Sequence, residues 1–199
     1  MKHEFNSPWL LVATPQLVDS NFHETVVLVV EHTPTWSKGF VLNRPLPTPL
    51  AMALTGHTQQ IPSHIPIWAG GPVDRESGII LCDASGSRLA PDTLELSLLT
   101  SDEALADLVE HATSSLAAQT NGMSPTPLYR HRFLSGYAGW NEGQLEDELR
   151  HGAWIQVPAT WDLVFNTDWR VLWDKAFAGI TPVGSSAWAS ASALPRYLN

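Results

Sequence analysis

The sequence predicts an α+β domain, built on a mostly antiparallel or mixed and strongly bent sheet with flanking helices. Three observations favour this class. Several short apolar runs follow one another early in the chain, so strands and helices do not alternate as in a doubly wound parallel sheet. An amphipathic pattern over residues 101–119 predicts a long helix. Hydrophobic residues make up 44% of the 199 residues and charged residues only 16%, which suffices for a substantial core.

Most of the first half is predicted to form strands. An apolar run spans residues 8–13, and a β-branched, nearly continuous run over residues 25–32 suits a strand buried on both faces. Residues 38–43 follow a turn that contains Pro34, so we expect a hairpin with the preceding strand. Arg44-Pro45-Leu46-Pro47 should end that strand, since proline removes ladder donors. Further strands are predicted over residues 65–69, 78–82, 94–99, 128–134 and 153–157.

The long helix carries its apolar residues on one face. Thr100 and Glu103 stand at capping-box spacing before it. Its buried stripe is predicted to comprise Leu105, Leu108, Val109, Ala112 and Leu116. Shorter helices are predicted over residues 50–54, 141–152 and 168–177, and a polar surface loop over residues 56–66.

The charge of the chain disfavours two classes of partner. Twenty Asp and Glu residues stand against eleven Lys and Arg, for a net charge of −9. Nucleic acid and anionic membranes would be repelled on average, so we expect neither as a partner. The longest cationic cluster, Tyr129-Arg130-His131-Arg132, alternates in a way that predicts the solvent-facing side of a strand.

Cysteine usage and the N-terminal segment favour a cytoplasmic location. Cys82 is the only cysteine, which excludes an internal disulfide, and its apolar surroundings predict an inert, partly buried thiol. The first residues lack the apolar core of a signal peptide, and no apolar run reaches the ~20 residues of a membrane span. We expect one domain over residues 1–180 and a loosely held tail over residues 181–199.

The most unusual segment is the glycine-rich stretch over residues 135–146. Its glycines at 136, 139 and 143 predict a tight corner between a strand and a helix, with Tyr137 and Trp140 packed into the core. The alternative is an anion cradle at the start of the helix. The spacing matches neither a P-loop nor a dinucleotide-binding fingerprint.

Two further segments are candidates for ligand contact. Arg44 could hold a carboxylate or phosphate with its planar fork, or form a structural ion pair with Asp19. Gly70-Gly71-Pro72 marks a turn with special backbone demands, which either binds a ligand or only turns the chain. If the three segments converge, the predicted ligand-binding residues are Asn43, Arg44, Gly70, Gly71, Tyr137, Gly139, Trp140 and Gly143.

No pattern in the sequence indicates a cofactor, a metal site or a catalytic residue. The eight histidines stand at no spacing typical of zinc ligands, and there is no Gly-x-Ser-x-Gly nucleophile turn. The nine tryptophans lie mostly in or beside apolar runs, so core filling accounts for them first.

The same segments resemble the YqgE/AlgH family, in the family's order from residue 8 to residue 173. They are Leu11-Val-Ala-Thr-Pro15, Asn21-Phe22, Thr25-Val-Val-Leu28, Gly39-Phe-Val-Leu-Asn-Arg-Pro45, Gly70-Gly-Pro-Val73, Gly136-Tyr-Ala-Gly-Trp140 and Gly143-Gln-Leu-Glu146. The resemblance implies a small bacterial cytosolic protein whose bifurcated sheet wraps into a pseudo-barrel. It brings no catalytic residues, and one branch of the family is described as a transcriptional regulator.

Three functions remain open at this point. The first is a binding or regulatory module for a small anionic ligand or a protein partner. The second is a hydrolase-type enzyme that uses dispersed carboxylates and histidines. The third is a transcriptional regulator that binds DNA, which the net charge of −9 disfavours. The sequence favours the binding module and does not specify its ligand.

Overall fold

The computed structural model describes residues 8–54, 61–84, 94–120 and 131–180, with only the backbone of residues 115–120. Outside these ranges lie residues 56–60 of the loop predicted over 56–66, residues 128–130 of the strand predicted over 128–134, and the predicted tail at 181–199. The elements are β1 (Trp9–Ala13), β2 (Val26–His32), β3 (Trp36–Val41), β4 (Pro45–Pro49), α1 (Leu50–Ala53), β5 (Pro66–Ala69), β6 (Val73–Asp83), β7 (Leu96–Leu99), α2 (Asp102–Thr120), β8 (His131–Asn141), α3 (Gln144–Arg150), β9 (Trp154–Pro158), a π-helical turn (Asp162–Asn166) and α4 (Trp169–Ala178).

The described strands form one mixed sheet, which confirms the predicted α+β class. Its order is β4-β5-β8-β3-β2-β1-β9, with β6 added to β8 and β7 added to β6. Every described pair is antiparallel except β5 with β8. The sheet does not close, because β4 and β9 stand at its opposite ends. The predicted hairpin of β2 and β3 is confirmed.

The sheet branches at β8. The first half of β8 pairs with both β5 and β6, and residues 138–141 pair with β3. The prediction that this strand ends at Leu134 and gives way to a glycine-rich corner is therefore wrong. Gly136 adopts a left-handed φ of +69°, which lets the strand change direction without ending. The corner that precedes α3 is confined to residues 142–143.

Three apolar clusters pack against the sheet, one under each of the longer helices and one under α3. Leu172 and Ala176 bring α4 onto the largest cluster. Leu145 joins α3 to the second cluster, and the apolar face of α2 covers the third. Each fully buried leucine contributes roughly 1.5–3 kcal/mol by leaving water, so helix docking is largely a consequence of these faces.

The prediction that Arg132 faces solvent is wrong, because its side chain is fully buried. Its Nε donates to the carbonyl of Val164 and its Nη1 to the carbonyl of Leu42, both at 2.9 Å. Its guanidinium carbon lies 4.6 Å from the centre of the Trp68 ring. The arginine thus joins the π-helical turn to the chain just before β4, with an aromatic face beneath its charge.

Two local details differ from the expectations. β3 ends at Val41, before the proline-containing segment that was expected to end it, but Pro45, Pro47 and Pro49 themselves lie in β4, an unpredicted strand that pairs with β5 alone among the described strands. An edge strand tolerates proline because its outer donors have no partner to lose. The expected Thr100–Glu103 capping box does not form; Ser101 Oγ instead accepts from the amide of Ala104 at 3.3 Å.

Cys82 is buried, and burial raises the pKa of its thiol, with the carboxylate of Asp83 as a further cause. The expectation of an inert thiol is consistent with this environment. None of the helices in the described ranges is long and apolar enough to cross a membrane.

Gly136→Ala should destabilise the protein by about 2 kcal/mol or more. A Cβ at this position would lie 2.7 Å from the carbonyl oxygen of Gly71 and 2.8 Å from that of Val73, and φ is left-handed. Gly139→Ala is the matched control, since its Cβ would meet only the edge of the Tyr137 ring at 3.3 Å. Urea unfolding of both variants measures the difference, and equal losses would contradict the described branch point.

Candidate functional site

A cleft of about 340 Å³ opens where the sheet branches. Five parts of the chain meet there: the turn after β1, the junction of β3 and β4, the turn after β5, the start of β6, and the middle of β8. The described residues that line it are Ser20, Asn21, Val41, Arg44, Pro45, Leu46, Ala69, Gly71, Pro72, Arg75 and Ser135.

Backbone hydrogen bonds hold the floor of the cleft. The amide of Val41 donates to the carbonyl of Gly70 at 2.8 Å, and the amide of Ala69 donates to the carbonyl of Arg44 at 2.7 Å. The amide of Gly70 donates to the carbonyl of Ser135 at 2.8 Å. These bonds fix the end of β3, the end of β5 and the middle of β8 against one another.

Gly70 and Gly71 cross β8 in direct backbone contact. A Cβ on Gly70 would lie 2.3 Å from the carbonyl oxygen of Gly136, and one on Gly71 would lie 2.1 Å from the carbonyl carbon of Tyr137. Real side chains cannot approach so closely, so both positions require glycine. Their contribution to the cleft is architectural, although Gly71 also lines it.

Arg44 reaches from the β3–β4 junction to the turn over residues 19–24. Its Nη2 donates to the carbonyl of His23, and its side chain is half-buried. Arg44 does not form the alternative ion pair with Asp19. The carboxylate of Asp19 instead accepts from the amide of Asn21 at 2.8 Å. The Arg44 charge is therefore held against a neutral acceptor.

Arg75 is a lining residue that the sequence reasoning missed. Its Nη2 donates to Oδ1 of Asn21 at 3.2 Å, and its carbonyl accepts from Ser135 Oγ. It lies in an irregular part of β6, where five residue steps from Val73 to Gly78 face only two steps of β8. No short-range sequence pattern marks such a bulge. The only signal that could have indicated Arg75 is its closeness in sequence to Gly70-Gly71-Pro72.

The two arginines make the cleft locally positive. Within the described part of the chain, neither has a carboxylate within ion-pair distance. None of the described lining residues is Asp or Glu. In a protein whose net charge is −9, the described lining therefore carries two positive charges and no negative one, while the carboxylates of Asp19, Glu24, Asp74 and Glu76 belong to adjoining residues outside it.

Asn43 supports the cleft without lining it. Its Oδ1 accepts from the amide of Val26 at 3.0 Å and its Nδ2 donates to the carbonyl of Glu24 at 2.9 Å. The side chain is buried, so it fixes the turn that carries Asn21 and does not face a ligand. The same turn is braced from within by the carbonyl of Asp19, which accepts from the amides of two residues in the turn.

The remaining predicted residues lie away from the lining. Trp140 is buried, stacks on Phe22 and donates from Nε1 to Glu148 at 2.9 Å, which confirms its predicted place in the core. Tyr137 is half-buried beneath the ammonium of Lys38, 4.4 Å from its ring centre. Gly139 lies in the β3–β8 ladder, and Gly143 precedes α3 with a φ of +71°. The structure thus brings the Arg44 and Gly71 segments together, and the third contributes only Ser135.

Two residues beside the cleft have backbone conformations that L-amino acids rarely adopt. Glu24 has a φ of +52° and Asp74 a φ of +51°. A left-handed L-residue costs roughly 1–2 kcal/mol, with less penalty for Asp. Such strain is concentrated at functional sites in many proteins, and here Glu24 follows His23, which accepts from Arg44, while Asp74 directly precedes Arg75.

No group of three His, Cys, Asp or Glu side chains that could hold a metal ion occurs among the residues that the structure describes. The polar chemistry of the lining consists instead of two guanidinium groups, one amide and two hydroxyls. Such groups bind and orient negative charge.

The protein is thus an α+β protein with an open, branched mixed sheet and a small arginine-lined cleft at the branch point. The chain belongs to the AlgH-like family, whose model matches residues 10–182. This confirms the resemblance drawn from the sequence segments.

Relatives and solved structures agree with this assignment. The chain is 35% identical over 178 residues to a UPF0301 protein of Myxococcus xanthus, covering 87% of this chain and 90% of the relative. It is 38% identical over 176 residues to one of Pseudomonas fluorescens, covering 84% and 82%. The AlgH protein from Pseudomonas aeruginosa has a similar solution structure, with a TM-score of 0.59, 29% identity and coverage of 96% and 95%. A protein from Corynebacterium diphtheriae shares the fold, with a TM-score of 0.62 at 20% identity and 92% coverage of each chain.

Glu24→Gly should leave the free energy of unfolding unchanged or raise it by about 1 kcal/mol. Glycine relieves a left-handed penalty of roughly 1–2 kcal/mol and costs roughly 0.5–1 kcal/mol in backbone entropy. The contact of the Glu24 carboxylate with His23 is exposed, so its loss costs little. Glu31→Gly, at an exposed β2 position outside the left-handed region, should lose roughly 0.5–1 kcal/mol. Thermal unfolding compares the pair, and a larger loss for Glu24→Gly would contradict the strain.

Proposed function

We propose that this protein is a binding module whose cleft takes a small anion between Arg44 and Arg75. One observation carries the proposal: both guanidinium groups face the same cleft while held by neutral acceptors, His23 and Asn21. A guanidinium without a carboxylate partner retains its capacity for a bidentate, charge-assisted pair with a carboxylate or phosphate.

The hydroxyl chemistry supports binding over hydrolysis. A nucleophilic serine needs a base that accepts its proton. Ser135 Oγ instead donates to the backbone carbonyl of Arg75. No histidine or carboxylate is found among the described lining residues, so this part of the cleft holds charge and does not relay protons. An acidic side chain of a protein partner would engage the same two guanidinium groups.

Two charge-assisted contacts set the scale of affinity. Hydrogen bonds to charged groups contribute roughly 1.5–3 kcal/mol each. Two of them, in a half-open and solvated site, support a dissociation constant on the order of 0.1–1 mM for a minimal anion. We place this activity in the cytoplasm, a location compatible with a chain whose single cysteine can form no internal disulfide.

Arg44→Gln and Arg75→Gln should each raise the dissociation constant for succinate or inorganic phosphate about tenfold, since each removes a charged contact of at least ~1.4 kcal/mol. Calorimetric titration of the whole chain at constant ionic strength measures the affinities. Unfolding temperatures recorded alongside should change little, because neither arginine forms an ion pair in the described structure.

Arg150→Gln is the matched control. Arg150 is exposed on α3, pairs with Asp147 and lies outside the cleft, so its loss changes net charge equally. Equal weakening in this variant would show that binding follows net charge alone. Absence of binding by the unaltered protein at 10-fold above the upper expected constant of about 1 mM would sink the proposal.

A further inference from the structure

We infer that the anion is a phosphomonoester on a short aliphatic stem, present as a free small molecule. This deepens the proposed function and rests on it. Three features of the cleft decide the class: the doubled positive charge, the way in which each guanidinium is anchored, and the apolar remainder of the lining.

The charge favours a dianion over a monocarboxylate. Arg44 and Arg75 contact acceptors only two residues apart in one turn, the carbonyl of His23 and the amide of Asn21. Their charges therefore converge on one headgroup. A phosphomonoester carries about −1.5 to −2 charges at pH 7 and three acceptor oxygens, whereas a carboxylate offers one charge and two oxygens. The phosphate therefore matches two guanidinium groups better than a single carboxylate does, in both charge and number of acceptor oxygens.

The anchoring leaves donors available on both arginines. Each guanidinium has five N–H groups in a rigid plane, and each uses Nη2 for its contact with the turn. The opposite edge of each plane can then face the ligand while the turn holds the side chain in place. Preorganisation of this kind lowers the entropy lost on binding. Asn21 is accordingly a positioning residue for Arg75.

The rest of the lining is apolar and lacks aromatic rings in its described part. Aliphatic and ring carbons come from Val41, Pro45, Leu46, Ala69 and Pro72. Bases are usually recognised by stacking on aromatic or guanidinium planes, and here both guanidinium groups are engaged at the headgroup end. An aliphatic stem fits these surfaces, and a nucleobase does not.

The volume suits a small ligand. At about 340 Å³ the cleft lies at the lower end of the roughly 300–1,000 Å³ of clefts that hold small molecules. A phosphate with a short aliphatic stem fits such a space. A concavity of this size suits a whole small molecule better than a side chain carried on a protein surface.

The test titrates the whole chain with butyl phosphate, inorganic phosphate, succinate, AMP and a phosphoserine peptide. Butyl phosphate should bind roughly tenfold more tightly than inorganic phosphate, because part of its stem leaves water. It should also bind more tightly than succinate and more tightly than AMP. Asn21→Ala should weaken butyl phosphate about threefold to tenfold without lowering the unfolding temperature, since Asn21 is exposed. Asn141→Ala, at an exposed asparagine beyond the cleft, should change neither quantity.

A pH series adds an independent readout. The second phosphate pKa near 6 predicts that butyl phosphate loses affinity relative to inorganic sulfate between pH 7.5 and pH 5.5, by about half an order of magnitude, because sulfate stays a dianion over this range. Arg44 and Arg75 keep their charge throughout. The other ionisable groups near the cleft are Asp19, His23, Glu24, Asp74 and Glu76, and both ligands face the same groups.

The outcomes distinguish the proposed ligand class from the proposed anion-binding function. Equal or tighter binding of succinate, inorganic phosphate or AMP would overturn the aliphatic phosphomonoester and leave the anion-binding module standing. Tighter binding of the phosphoserine peptide would overturn the assignment to a free small molecule. Failure of every anion would remove the proposed function itself.

Discussion

The contact between Gly70-Gly71 and the backbone of β8 is the constraint on which the rest of the structure depends. At this crossing the chain approaches closer than any Cβ would allow, and Gly136 turns β8 with a left-handed φ. Because β8 bends there and continues, it can pair with β5 and β6 on one half and with β3 on the other. The cleft is the gap left between diverging strands, so the architecture and the candidate site have one origin.

Arg132 extends this constraint into the core. Burying a charge is costly unless its donors are satisfied. Here the carbonyls of Leu42 and Val164 satisfy Nη1 and Nε, and the face of Trp68 lies against the charge, while Nη2 is buried without a hydrogen bond to the residues that the structure describes. Leu42 lies two residues before Arg44, so the buried arginine helps to fix the backbone from which the cleft arginine projects. The buried Arg132 and the cleft-lining Arg44 are thus connected through residues 42–44.

Sequence patterns predicted the elements whose signals are local. The β-branched run of β2 and the apolar stripe of α2 gave strand and helix correctly. The burial of Arg132 was not predicted. The only local sign of it is that Arg132 and the apolar Leu134 lie two residues apart, on the same face of an alternating strand, and the partners of Arg132 come from far along the chain. Arg75 enters the cleft through a bulge whose register depends on long-range pairing, which no short window of sequence encodes. The cleft could therefore be anticipated at Arg44 and Gly71, and not at its second charge.

The prolines of β4 have a consequence for how this molecule meets others. An open sheet offers its outermost backbone groups to any extended chain that can add to them. At the margin formed by β4, Pro45, Pro47 and Pro49 supply no N–H, so a further strand would find too few donors to adhere. Addition of a further strand at that margin is therefore disfavoured by the covalent structure of β4 itself.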